Sequence, residues 1–120
     1  MMAGAALAEG PEGGPELGFF EGRYEVVGRG PDGGLVEDPV RLVVEGEALR
    51  AEGCAGPAGR LAWGRVHESW RLKGDILGWE VRCTYAVDAG NYPQLLCAGP
   101  DAVRLMAWPE PEFGGPLTCP

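Results

Sequence analysis

Over residues 77–87 every second side chain is apolar. Leu77, Trp79, Val81, Cys83, Tyr85 and Val87 alternate with Gly78, Glu80, Arg82, Thr84, Ala86 and Asp88. Wound as a helix, that order would scatter apolar groups around the whole circumference. Extended as a strand, it puts all six on one face. The segment therefore predicts a long strand with one buried side, which requires partner strands.

The same period recurs along the chain. Tyr24 and Val26 alternate with Arg23, Glu25 and Val27, and Val40, Leu42 and Val44 with Arg41, Val43 and Glu45. Leu61 and Trp63, then Leu95 and Cys97, then Val103, Leu105 and Ala107 continue the pattern. Turn residues separate the runs. Gly46-Glu47 would set Val44 opposite Leu49 and Leu42 opposite Ala51. Gly74-Asp75 would set Leu72 opposite Leu77 and Trp70 opposite Trp79, since glycine accepts the positive φ of a two-residue turn. Further breaks fall at 28–34, 88–91 and 99–101. About eight short strands at this spacing indicate an all-β fold. The simplest closure is a small antiparallel up-and-down β-barrel, which leaves no exposed sheet edge; a two-sheet β-sandwich is the alternative. Single helical turns are expected only within 3–8 and 16–21.

The 120 residues support one domain, placed at 17–108. Residues 1–8 are small and apolar and end in Ala-Leu-Ala, which reads as the remnant of an export signal. Residues 9–16 have the Gly/Pro/Glu composition of a linker, and 109–120 form a Pro/Gly-rich tail expected to be mobile. No apolar run approaches the roughly 20 residues of a membrane helix.

Four cysteines, with no C-x-x-C pair and a single histidine, do not make a zinc site. Cys83 and Cys97 lie equidistant from Gly90, so a hairpin tip there would bring them face to face. They are expected to bond, leaving Cys54 to Cys119. On the chain-entropy account the two bonds would contribute roughly 3 and 4 kcal/mol. Disulfides and an export signal together place the protein in the periplasm or outside the cell.

Eighteen acidic residues against ten basic ones give a net charge of −8. Nucleic-acid binding is excluded on that balance, because such affinity rests on Lys and Arg neutralising phosphates. Charge of this sign also serves solubility. Catalysis finds few candidates. His67-Glu68 is the one imidazole beside a carboxylate, and adjacent strand residues point to opposite faces. Residues 28–33 match G-x-G-x-x-G, but a proline, acids and another strand follow where a phosphate loop needs a helix. No catalytic residue, metal or cofactor is expected.

Trp63, Trp70 and Trp79 all fall on inward faces. They fit a packed barrel core, or alternatively the wall of a ligand pocket. On the first strand, Gly22-Arg23-Tyr24 resembles the Gly-x-Trp signature of lipocalins over three residues, with Tyr24 where that family has Trp. The resemblance implies a carrier that holds a small apolar ligand in the barrel mouth. Length, disulfides and acidity are also similar to small periplasmic inhibitors of lysozyme or proteases, in architecture only. Their Ser-Gly-x-x-Tyr loop is absent, the nearest segment being Ala58-Gly59-Arg60-Leu61-Ala62-Trp63.

The activity expected first is non-enzymatic protein binding. An inhibitor of a basic enzyme or an accessory subunit of a larger assembly would fit, since opposite charge accelerates encounter. The contact elements expected are the loop 28–38, the tip 88–93 and the tail from Trp108 onward. Tyr92 and Trp108 are the anchors, because aromatic side chains dominate binding energy at interfaces.

Overall fold

In the computed structural model, which describes residues 11, 14–87 and 90–120, the chain closes into a single eight-stranded barrel. A 3-10 turn at Leu17–Phe20 leads into β1 (Gly22–Arg29), β2 (Leu35–Glu45), β3 (Ala48–Gly53) and β4 (Gly56–Val66). β5 (Ser69–Ile76), β6 (Trp79–Val87), β7 (Pro93–Ala98) and β8 (Arg104–Pro109) complete it. Every neighbouring pair is antiparallel and consecutive, and β8 closes on β1 from Tyr24↔Pro109 to Arg29↔Arg104. The up-and-down barrel, not the sandwich, is the architecture. The expected export remnant at 1–8 and half of the linker lie outside the described residues.

Period two governs the interior. Tyr24, Val26, Val40, Leu42, Leu61, Leu72, Val81, Cys83, Leu95 and Leu105 all point inward and are buried. Phe20, fully buried, closes the end of the barrel where β1 begins, its ring edge-on to Trp63 at 5.8 Å and Tyr85 at 5.3 Å. The Tyr24 hydroxyl donates to the Phe20 carbonyl at 2.7 Å, so the one phenol in the core is satisfied. Burial holds that hydroxyl protonated, far above its ordinary value.

The hairpin joining β2 to β3 has the expected register, Val44↔Leu49 and Leu42↔Ala51. The one joining β5 to β6 does not. It turns at Leu77-Gly78, both at positive φ (53° and 91°), and Leu72 faces Cys83. Gly74 lies inside β5, where a Cβ would sit 1.8 Å from the Arg60 carbonyl oxygen of β4. It is a close-approach glycine, not a turn residue. The partner of Leu72 moves six places, from 77 to 83, and an even shift leaves every face unchanged. Trp79 and Val81 therefore still point inward, whereas Leu77 sits in the turn. Trp70 is a second correction. Ser69, Trp70 and Arg71 pair only with β4, so Trp70 does not face Trp79, and its half-buried indole is not part of the core cluster. It packs under the Arg65 guanidinium instead, 5.0 Å from the ring centroid.

The C-terminal segment, expected to be a mobile tail, is a strap bound along the start of β1. Backbone bonds from Glu110 N to Arg23 O and from Arg23 N to Phe113 O extend the β1–β8 pairing. The Arg23 guanidinium donates to the carbonyls of Pro111 and Pro116 and to Thr118 Oγ1. Phe113 is buried against the Tyr24 ring at 5.1 Å and the open face of Gly22. Cys119 ends the strap in a disulfide to Cys54, and Cys83 is bonded to Cys97 across β6 and β7. Composition suggested freedom; one arginine, one phenylalanine and one disulfide remove it.

Candidate functional site

Inside the barrel lies a void of about 10 Å3, lined by Tyr24, Val40, Leu42, Leu95, Leu105 and neighbouring apolar side chains. That is the space of a single water at most. Trp63 and Trp79 pack against the core from the rim, Trp70 lies outside it, and none of the three borders the void. At the position that resembles the lipocalin signature, the ring packed against Tyr24 is that of Phe113. Among the described residues no polar or charged residue is buried, and no group of three metal-ligating side chains occurs. His67 occupies the exposed turn between β4 and β5, at φ 58°. The segment 28–33 is the end of β1 and a bend, and β2 follows it.

What stands out is the outer wall. On a small barrel the outward positions normally carry polar groups. Across β2, β3 and β4 they do: Arg41, Arg50 and Arg60 interleave with Glu45 and Glu52. Arg50 bonds Glu45 at 3.1 Å and Glu52 at 2.5 Å, Arg60 reaches Glu45 at 2.7 Å, and Arg41 lies 3.7 Å from Glu52. The Arg60 hydrogen bond, followed by the charge of Arg50, holds the Glu45 carboxyl below its ordinary value.

The wall formed by β7, β8 and β1 is different. Register places Leu96 of β7 beside Met106 of β8, Met106 beside Val27 of β1, and Val27 beside Glu37 of β2. In the next row Trp108 stands beside Glu25, and Glu25 beside Pro39. Leu96 is 37% exposed and Trp108 44%, with Val27 and Met106 half-buried. With strands about 4.8 Å apart, the first row spans roughly 15 Å from β7 to β2. This makes one apolar strip on the outside of a closed barrel, bordered by carboxylates.

Those carboxylates carry no ion pair among the described residues. Glu25 titrates above its ordinary value, first because its surroundings desolvate it, then because Glu110, Glu37 and Asp38 repel a further charge. Of the arginines on β1 and β8, Arg23, two residues before Glu25, spends its guanidinium on the strap, and Arg29 and Arg104, paired at the far end, donate to the carbonyls of Gly33 and Val103.

Of the two expected anchors, Trp108 belongs to this strip. Tyr92 is 46% exposed just before β7, its ring 4.8 Å from that of Phe113, where it helps seat the strap. Asp88 and Ala89, in the expected tip, lie outside the described residues. Leu96, Met106, Val27 and Glu25 were not anticipated from the sequence. The signal for them was there: Leu95-Leu96-Cys97, Val26-Val27 and the run 105–108 break the alternation with an apolar residue at an outward position.

No protein-family model, no curated protein and no solved structure matches this chain.

Proposed function

We propose that this chain is an exported, non-enzymatic protein-binding module, a rigid barrel that presents its β7–β8–β1 wall to a partner protein. One observation carries the reading: Leu96, Met106, Val27 and Trp108 form a continuous apolar strip on the outside of a barrel whose interior is already full. Contiguous exposed apolar surface of this kind marks interaction sites, and Trp and Met are enriched at interface cores. The role is that of an inhibitor or an accessory subunit. Two disulfides suit the periplasm or the extracellular space, where such bonds persist.

The test compares the wild-type chain with Trp108→Ala, each immobilised and exposed to material from its native source under mild conditions. The expected result is a defined partner retained by the wild type and lost from the variant, with identical circular dichroism. A partner held equally by both would refute this wall as the binding surface.

A further inference from the structure

Resting on the protein-binding reading, we propose that the β7–β8–β1 wall receives an extended basic segment of its partner. Arginine or lysine side chains of that segment lie against Trp108 and Glu25, and its apolar side chains cover Leu96, Met106 and Val27.

Charge complementarity selects this occupant. The strip is bordered on the β1–β2 side by Glu25, Glu37 and Asp38 and on the strap side by Glu110, a group close enough to raise the Glu25 carboxyl. On β2, β3 and β4, Glu45 and Glu52 meet guanidinium groups of the same chain; Glu25 and Glu37 meet none among the described residues. A cation from outside would replace repulsion among four carboxylates by attraction to all of them. The exposed indole of Trp108, directly beside Glu25 in the register, is a second group such a cation can meet. Arg65 over Trp70 shows this chain making that contact within itself, at 5.0 Å.

A second copy of the chain is the wrong occupant. Two such walls face to face would bring their carboxylates together on molecules that each carry a net charge of −8. A neutral apolar partner would bury Glu25 and Glu37 without compensation, which is costly for a charged group. Two rows of alternating outward side chains instead match an extended chain whose residues alternate between basic and apolar.

The experiment uses a fluorescein-labelled nonapeptide alternating arginine and valine, and its twin with citrulline, which keeps the shape and removes the charge. Amide shifts in 15N-labelled protein locate binding, and anisotropy gives the affinity. The arginine peptide should move resonances of Val27, Glu25, Met106 and Trp108, and the citrulline peptide should bind at least about tenfold more weakly. The pair Glu25→Gln and Glu37→Gln should weaken the arginine peptide by about tenfold, with Glu47→Gln and Glu80→Gln leaving it unchanged. Equal loss with both pairs of variants would show attraction to net charge only and would overturn the proposal. Shifts confined to another face would overturn it too. A citrulline peptide that binds this wall as tightly removes the basic partner but leaves the protein-binding wall standing. If neither peptide reaches the wall the proposal fails, whereas the binding reading is decided separately by the Trp108 comparison.

Discussion

On β2, β3 and β4, Glu45 and Glu52 each touch an arginine of a neighbouring strand, and alongside them Arg23 and Arg41 grip the C-terminal strap. On β7, β8 and β1 the outward positions are Leu96, Met106, Trp108 and Val27, and the carboxylates beside them are left to repel one another. Both walls belong to one sheet and cover the same core. The first wall is finished by the chain itself; on the function proposed above, the second is finished by a partner.

The comparison breaks most readily at the strap. Phe113→Ala should cost about 3–5 kcal/mol in chemical denaturation, the usual loss for an emptied aromatic site in a core. Gly22→Ala should destabilise in the same direction, because its Cβ would stand 2.5 Å from the Phe113 ring. If neither variant loses stability, the strap is not part of the folded wall. Next comes the bond at its end. Converting Cys54 and Cys119 to serine should lower stability by about 2–4 kcal/mol and free the strap to hydrogen exchange, leaving exchange in β7 and β8 unchanged.

Acid should separate the walls by sign. Glu45 is held below the ordinary value of 4.5, so its pairing stabilises the fold above that pH and is lost as the pH falls through its lowered value. Glu25 is raised, so its charge opposes folding above its raised value, and that cost disappears as the pH falls toward and below 4.5. Carboxyl NMR titration should find Glu25 protonating before Glu45 on acidification. The reverse order would erase the electrostatic contrast. The smallest effect on the fold belongs to the open wall: Trp108→Ala should change stability by less than about 0.5 kcal/mol. A large loss would mean that the indole already has its partner within the barrel.

Much of the fold was legible in the sequence. Inward faces, the Cys83–Cys97 pair and the hairpin joining β2 to β3 all follow from counting alternate residues out from a turn, and the Cys54–Cys119 pair follows by elimination. The hairpin joining β5 to β6 misled because two glycines, Gly74 and Gly78, lie four residues apart, and either could make the turn. What decides between them is the carbonyl of Arg60, which comes so close to Gly74 that no side chain fits there. The strap was misjudged because its prolines and glycines speak for an extended chain but not for where that chain lies. The candidate site was half legible. Trp108 was singled out as an aromatic, and its neighbours were not, because a residue pointing out of one strand says nothing of what stands beside it on the next.

The sequence by itself determined which side chains share a face, since a strand repeats every two residues whatever it pairs with. It also carried the Cys83–Cys97 pairing, because distance from a hairpin tip is a local count, and so left Cys54 to Cys119. Only the tertiary structure decided which strand ends lie over the core, where the strap binds, and that Leu96, Met106, Val27 and Trp108 adjoin one another. Those relations join residues far apart in the chain, and they are set by strand register and barrel closure, in which an even slip changes every neighbour and no face.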